Sequence, residues 1–273
     1  MLNFTLTPSY FKRKVIMRQV IIHYHIFKNA GSTIDYIFKR KFKNGYASID
    51  GNTPGSTLDA QYLLQYAESH PKVKVISSHQ CRPPAPVSNS INFHPILFLR
   101  HPIDRVGSVY LFERNQPVND VLANTKMAQK NDLAEYVKWR LAENNGAVIK
   151  NFQTIYLAGR EKEMKSARAT RTDLQTAIER LKDLDFFGIV ELFDESVMQM
   201  KKYLSKSFGM INTAYSVQNK SQGRKPTLAE RLDDLRNSLS GTLFDELIDK
   251  NSLDLELYNA ALEIFKQKRS ITS

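Results

Sequence analysis

The hydrophobic and polar positions along the chain follow two periods, one typical of strands and one typical of helices. Short apolar runs rich in β-branched and aromatic residues predict buried strands. These runs lie at residues 20–27, 73–78, 95–100 and 186–191. Elsewhere, apolar residues recur every three or four positions, as on the buried face of an amphipathic helix. The clearest helical segments span residues 34–41, 104–114, 132–145, 171–184, 193–208, 227–239 and 254–268.

The order of these elements predicts the fold class. Strands that alternate with helices are typical of an α/β protein with a central, mainly parallel sheet flanked by helices. The prolines and polar residues of 79–95 predict a loop, and the second half of the chain is rich in helices. Ligands of such proteins bind outside the carboxyl ends of the strands. Lys28, His79 and Arg100 each stand at the end of a predicted strand, so we expect a site there.

The segment HYHIFKNAGSTI, residues 23–34, joins the first strand to the first helix. N–H groups at the start of a helix, together with the helix dipole, bind anions such as phosphate. Gly31 lets a ligand approach the backbone, and Ser32 and Thr33 add hydroxyl donors. Lys28 adds a positive charge, but it precedes the glycine, unlike the lysine of the GxxxxGK(S/T) phosphate loop. An ordinary strand-to-helix turn with an exposed lysine is the alternative interpretation.

A second segment, FLRHPIDRVGSVY at residues 98–110, leads from the third strand into a helix. Arg100 presents a planar guanidinium that matches a phosphate, and the hydroxyl of Ser108 can complete the contact. Arg105 is an alternative anion ligand, or else a residue that braces the helix. In isolation, this pattern also fits a segment that only packs.

Composition limits the classes of function. The 273 residues carry a net charge of +11, which favours an acidic ligand such as nucleic acid, anionic polysaccharide, a phosphorylated cofactor or a membrane surface. The single cysteine, Cys81, excludes an internal disulfide and a multi-cysteine zinc site, and it fits a reducing compartment. No apolar run reaches the roughly 18 residues of a membrane span, and residues 1–19 lack the pattern of a secretory signal. We therefore expect a cytoplasmic protein.

The two strand-end segments resemble the cofactor motifs of sulfotransferases that use 3′-phosphoadenosine 5′-phosphosulfate (PAPS). HIFKNAGST is similar to their 5′-phosphosulfate loop, and LRHPIDRVGSVY is similar to their 3′-phosphate segment. The nearer likeness is to carbohydrate sulfotransferases of the heparan sulfate 2-O-sulfotransferase type. Residues 151–159, 186–204 and 251–265 also resemble that family, and the resemblance runs from about residue 19 to 268. It implies a P-loop-like three-layer fold, and we expect one sulfotransferase domain over residues 1–273.

The resemblance implies a role for each motif residue. The 5′-phosphate would lie against main-chain N–H groups and hydroxyls of Asn29, Ala30, Gly31, Ser32 and Thr33. Lys28 would contact the bridging oxygen and neutralise charge on the leaving phosphate, and Arg100 and Ser108 would bind the 3′-phosphate. Asn29 and His101 depart from the family pattern, in which a threonine and an acidic residue are common at these positions.

Transfer of a sulfuryl group to an alcohol needs a base for the hydroxyl proton, and a histidine suits that task near neutral pH. Among the six histidines, His79 is favoured because it ends the second strand, and the resemblance implies a general base in this stretch. His23 and His25 lie within the first predicted strand, where we expect packed side chains. We expect Cys81 to be packed as well, because no base partner for a thiol is identifiable. Histidines and carboxylates do not cluster at ligand spacing, so we expect no metal.

The sequence therefore favours a PAPS-dependent sulfotransferase that acts on a hydroxyl group, with a carbohydrate as the expected acceptor. His79 would be the base, and Lys28 would assist the leaving group. One alternative is a nucleotide-dependent kinase with a modified phosphate loop, although no metal-binding carboxylate stands at a strand end. The other is a non-catalytic polyanion-binding protein. Nucleic acid is less favoured, because the chain has no RNA-binding motif or strip of stacking aromatic residues.

The basic loop at residues 219–228 is a further candidate contact. Its charges are Lys220, Arg224 and Lys225. These side chains would meet the adenosine end of the donor or an anionic acceptor, and a solvated loop is the alternative interpretation. The identity of the acceptor and the oligomeric state stay open at this point.

Overall fold

The computed structural model describes residues 17–53, 56–117, 122–142, 145–160, 168–214 and 225–272. The strands in these ranges are β1 (Arg18–Tyr24), β2 (Tyr46–Ser48), β3 (Val75–Ser78), β4 (Ile91–Leu99) and β5 (Gly188–Ile189). The helices are α1 (Gly31–Phe42), α2 (Ala60–Ser69), α3 (Pro102–Arg114), α4 (Ala123–Lys130), α5 (Leu133–Leu141), α6 (Phe152–Leu157), α7 (Arg171–Asp183), α8 (Phe193–Phe208), α9 (Leu228–Ser238), α10 (Gly241–Asp249) and α11 (Ser252–Thr272).

The strands form one sheet in the order β2-β3-β1-β4-β5, and each neighbouring pair is parallel. At its centre, Ile22 of β1 lies opposite Ile76 of β3 and Pro95 of β4. Because the strands are parallel, their carboxyl ends meet at one edge of the sheet. The predicted α/β fold with a central parallel sheet is confirmed.

Side chains of β1 alternate between two hydrophobic cores, one on each face of the sheet, because successive residues of a strand point to opposite sides. Ile22 and Tyr24 belong to the core that contains apolar residues of α2, α6, α7 and α11. Ile21 belongs to the core that contains the apolar residues of α1 and α8. Helices therefore cover both faces, which gives the three layers.

A third hydrophobic cluster fixes the position of α3, the helix that follows Arg100. Ile103, Val106 and Val109 of α3 pack in it with apolar residues of α4, α5, α9 and α10. The helix begins at Pro102, whose missing N–H costs nothing in a first turn. Among the helices of the described residues, none combines the length and the apolar character that a membrane crossing needs.

β4 begins earlier than the sequence pattern predicts. Residues 91–95, expected in a loop, form its first half. Pro95 is tolerated inside this strand because β5 pairs only with Phe98 and Leu99, which leaves one side of β4 without a described partner strand at the proline. The prolines of 79–95 therefore mark a shorter loop than expected.

Two other strand predictions change in extent. The predicted strand at 186–191 is reduced to β5, since the chain turns into a 3₁₀ helix at residues 190–192. β2 is not predicted, because three half-buried or exposed residues at an edge carry too little alternation to identify a strand. Both differences lie at the outer strands, and neither alters the central edge formed by β1, β3 and β4.

Candidate active site

The turn between β1 and α1 presents an uncapped helix N-terminus. Lys28 and Ala30 have φ angles of 64° and 62°. Such left-handed residues cost about 1–3 kcal/mol each and persist where the surroundings enforce them. α1 begins at Gly31, the preceding Ala30 gives no side-chain cap, and the first turn holds no acidic residue. The positive end of the helix dipole is therefore available to an anion.

Buried side chains hold this turn in place. Asn29 is 1% exposed, and its Nδ2 donates to a main-chain carbonyl of β4 and to Oε1 of Gln153, each at 2.7 Å. The main-chain N–H of Asn29 donates to the carbonyl of Ile26 at 3.1 Å. Arg105 is fully buried, and its Nη1 donates to the carbonyl of Phe27 at 3.4 Å. Of the two roles considered for Arg105, these contacts favour bracing.

Arg100 follows β4 and connects the turn to α3. Its Nη1 donates to the carbonyl of Lys28 at 2.8 Å, its Nε donates to Oδ2 of Asp104 at 2.9 Å, and its Nη2 lies 2.9 Å from the same oxygen in an ion pair. The second oxygen of Asp104 accepts from Nε of Arg231 at 2.8 Å. A guanidinium carries five N–H groups. Within the described part of the chain, two N–H groups of Arg100 have no protein acceptor, so the side chain retains donors for an anion.

Gln153 ties Arg100 to the same turn. Its Oε1 accepts from the main-chain N–H of Arg100 at 3.0 Å, and its Nε2 donates to the carbonyl of Arg100 at 2.8 Å. Asp254 of α11 in turn accepts the main-chain N–H of Gln153 at 3.0 Å. The sequence pattern assigns no role to Gln153, because a single amide that faces main-chain groups produces no periodic signal. The resemblance of residues 151–159 to a known family is the signal that pointed to this segment.

A row of aromatic rings links Lys28 to His79. Nζ of Lys28 lies 4.4 Å from the centroid of the Phe112 ring, a cation–π contact. The rings of Phe112 and Phe27 lie edge to face with centroids 5.3 Å apart, and Phe27 lies 6.3 Å from the ring of His79. The structure thus places Lys28 and His79 at the two ends of one row of rings, at the edge where the strand ends predict them, and Arg100 contacts the main chain of Lys28 at the same edge.

His79 follows β3 and keeps an exposed side chain. Its Nδ1–H donates to the carbonyl of His25 at 2.9 Å, and its main-chain N–H donates to Oδ1 of Asp50 at 3.1 Å. Since a carbonyl only accepts, Nδ1 carries the proton and the neutral ring has an unprotonated Nε2. Partial desolvation and the neighbouring His25 lower the pKa of His79 from its ordinary value of 6.5. At neutral pH the ring is therefore a neutral base.

Comparison with known proteins decides the family. The sequence model described as the sulfotransferase family matches residues 14–260, a range that contains every residue of the edge described above. The chain belongs to the sulfotransferase family. It is also similar to an uncharacterized protein of Archaeoglobus fulgidus, with 28% identity over 254 residues that make up 92% of this chain and 98% of that protein.

In this sulfotransferase, Ser108 is buried on α3, one turn after Asp104. The neighbouring Gly107 of α3 is one of the residues that line a cavity of about 260 Å³, and the charged lining residues of this cavity include Asp104, Lys225, Arg231 and Asp234. Ser108 itself does not line this cavity, to which the described residues contribute two cationic side chains and two carboxylates. Lys225 belongs to the predicted basic loop 219–228, and the loop residues Lys220 and Arg224 lie outside the described residues.

Cys81 of the sulfotransferase is a packed residue. It is fully buried two positions after His79, and burial raises the pKa of its thiol to about 12. Its main-chain N–H donates to the hydroxyl of Ser78 at 3.1 Å. Because a nucleophilic cysteine needs a thiolate, Cys81 does not serve as one at neutral pH.

The remaining histidines of the sulfotransferase have different surroundings. His94 lies on β4 and contacts Tyr203 and Gln19, and His70 ends α2, so neither belongs to the carboxyl edge. His101 donates its main-chain N–H to Glu191. His23 and His25 are both buried as predicted, although His25 lies one residue beyond the end of β1.

Proposed function

We propose that this member of the sulfotransferase family transfers a sulfuryl group from PAPS to a hydroxyl group of a carbohydrate acceptor. One observation carries the proposal: an uncapped helix N-terminus, two cationic side chains and a histidine with an unprotonated Nε2 converge at one edge of the sheet. The helix end and the cations suit phosphate groups, and the histidine suits a hydroxyl proton.

The residues of the turn fit a 5′-phosphate. The amides of Asn29 and Thr33 already donate to main-chain carbonyls, at 3.1 Å and 3.0 Å. We therefore place the main-chain contacts at Ala30, Gly31 and Ser32, in the first turn of the helix, and assign Asn29 to the shape of the turn. The hydroxyls of Ser32 and Thr33 add donors beside these amides.

The cationic residues contact different phosphate groups of the sulfuryl donor PAPS. PAPS supplies an activated sulfuryl group and is left as adenosine 3′,5′-bisphosphate. Lys28 neutralises the charge that develops on the departing 5′-phosphate. Arg100 and Ser108 hold the 3′-phosphate, and the cavity that Asp104, Lys225 and Arg231 line receives the nucleoside end.

His79 removes the proton of the acceptor hydroxyl as the acceptor oxygen bonds to sulfur. The proton moves to Nε2, because Nδ1–H is held by the carbonyl of His25. That hydrogen bond strengthens when the ring becomes an imidazolium, since a charged donor makes a stronger bond than a neutral one. No residue of this mechanism requires a metal ion, so we expect metal-independent turnover.

Binding of adenosine 3′,5′-bisphosphate tests the donor site without an acceptor. In calorimetric titration we expect saturable binding of the bisphosphate, much weaker binding of ATP, and loss of bisphosphate binding in Lys28→Ala. The matched control Lys138→Ala removes an exposed lysine of α5 and should bind as the unmodified protein does. Equal binding of ATP would favour a kinase, and salt-sensitive binding of a polyanion without bisphosphate binding would favour a non-catalytic protein.

Turnover with radiolabelled PAPS and a panel of carbohydrate acceptors tests the chemistry. We expect His79→Ala to lower kcat/KM by about 10²–10⁴-fold, the usual contribution of a general base. Lys28→Ala should lower it by about 10²-fold or more, as for other charge-stabilising donors. The control His70→Ala removes an exposed histidine at the end of α2 and should leave turnover unchanged. Normal turnover in folded His79→Ala would overturn the assignment of the base.

A further inference from the structure

His25 and Asp35 form a buried pair in direct contact with the proposed base. His25 is 8% exposed, and its Nδ1–H donates to Oδ2 of Asp35 at 2.9 Å. The centroids of the His25 and His79 rings are 3.9 Å apart, with an interplanar angle of 39°. The opposite edge of the His25 ring lies against Gly31, where an added Cβ would be 2.0 Å from Cδ2 and 2.3 Å from Nε2. The His25 side chain thus contacts both the base and the start of α1.

Asp35 is held from three sides. Its Oδ1 accepts from Nδ1–H of His23 at 2.8 Å and from the hydroxyl of Ser77 at 2.7 Å, while His25 occupies Oδ2. Burial alone would raise the pKa of Asp35, but the charges and hydrogen bonds of His23 and His25 lower it far below its ordinary value of 3.8. The group therefore stays a carboxylate, which only accepts, and it selects the Nδ1–H form of His25.

We propose that His25, anchored by Asp35, is a positioning residue that keeps His79 unprotonated and oriented for proton abstraction. This inference rests on the proposed function, because it concerns the same reaction. Two contacts carry it. The main-chain carbonyl of His25 selects the Nδ1–H form of His79, and the ring of His25 packs against the His79 ring at a centroid distance of 3.9 Å, which reduces the hydration of the His79 ring on that side.

The charges around the rings of His25 and His79 affect the protonation of both rings. Burial lowers the pKa of His25, and desolvation together with His25 lowers the pKa of His79. At this separation a proton on one ring disfavours a proton on the other. The titratable groups that face the pair are Asp35 of α1, His23 of β1 and Asp50 after β2, and Tyr46 of β2 interacts with Asp35. The two carboxylates favour the protonated rings, and burial outweighs them.

Nuclear magnetic resonance of the ring of His79 tests this coupling in the unliganded protein, without any turnover. In the unmodified protein we expect nitrogen shifts of the Nδ1–H form and a pKa below 6.5. In His25→Asn, whose amide can still donate to Asp35, we expect the pKa of His79 to rise toward that ordinary value, because the ring face becomes hydrated. An Nε2–H form of His79, or a pKa that stays in place in a folded His25→Asn, would overturn the inference.

His23→Asn is the matched control. His23 binds the same carboxylate, and its ring stacks on that of His25 with centroids 5.2 Å apart, but among the described residues no ring contact joins His23 to His79. Since His23 acts on His79 only through His25, we expect a smaller rise of the pKa of His79 in His23→Asn than in His25→Asn. An equal rise of the pKa in both variants would show a general loosening of the fold and would refute a specific role for His25.

The pH profile of turnover connects the coupling to the reaction. For His25→Asn we expect a severalfold loss of kcat/KM near pH 6 that is regained near pH 8, where His79 is unprotonated in either protein. A pH-independent loss would contradict the inference. If the pKa of His79 moves as expected but the protein shows no transfer from PAPS, the proposed function fails and the coupling stands. If transfer occurs but the pKa of His79 does not move, the proposed function stands and the coupling fails.

Discussion

Replacement of Gln153 by methionine tests whether the hydrogen bonds of the Gln153 amide stabilise the main chain at the candidate site. Methionine has a similar length and volume, so the change removes the amide and keeps the packing. Two main-chain groups then lose their partners, namely the N–H and the carbonyl of the buried Arg100. Asn29 keeps its second acceptor, the β4 carbonyl. Each unsatisfied buried group costs about 1–3 kcal/mol, so we expect the free energy of unfolding to fall by about 2–6 kcal/mol.

Urea denaturation of the two proteins measures this loss. Gln175→Met is the control, because Gln175 is exposed on α7 and its amide donates to Glu179, four residues later in the same helix. We expect that variant to stay within about 0.5 kcal/mol of the unmodified protein. A loss in Gln153→Met no larger than in Gln175→Met would show that the two main-chain groups find other partners. That result would refute the inference that Gln153 connects Arg100 to the turn through hydrogen bonds that stabilise the fold.

Three further outcomes are expected. Gly31→Ala places a Cβ 2.0 Å from Cδ2 of His25 and should lower the free energy of unfolding by about 1–3 kcal/mol, measured by denaturation; an unchanged value would contradict the close contact. In a pH profile, kcat/KM should rise with pH through a midpoint below 6.5, since the lowered pKa of His79 leaves the base unprotonated above it; a midpoint above 6.5 would argue against His79. Prolonged dialysis against EDTA should leave turnover unchanged, and a loss restored by a divalent cation would contradict the metal-free mechanism.

The sequence was sufficient to predict the fold class, because the hydrophobic patterns that indicate strands and helices lie within short segments of the chain. The apolar run at residues 20–27 and the three-to-four-residue spacing after Gly31 come from neighbours in the chain, so they identify β1 and α1 before any packing is known. The parallel order of strands then predicts that Lys28, His79 and Arg100 share one edge, and the structure places them there. Predictions were least accurate at β2 and β5, where pairing rather than pattern determines the strand.

The orientation of polar side chains was not predictable in the same way. Asn29 and Arg105 sit in motifs that resemble phosphate-binding segments, yet the structure turns both inward to hold the main chain. His25 and Asp35 belong to patterns that predict an ordinary strand and helix, yet they meet beside His79. The sequence pattern around a single polar residue does not show whether its side chain faces solvent, a ligand or a buried partner.

The chain's sequence alone therefore determined the layers, the parallel sheet and the edge where chemistry is expected, because hydrophobic periodicity and strand ends are properties of short segments. Only the tertiary structure decided which polar groups are partners. Asn29 and Gln153 are 124 positions apart, and His79 and the carbonyl of His25 are 54 positions apart. Such contacts form only when the sheet is assembled, because hydrogen bonds act over about 3 Å in space and are independent of separation along the chain.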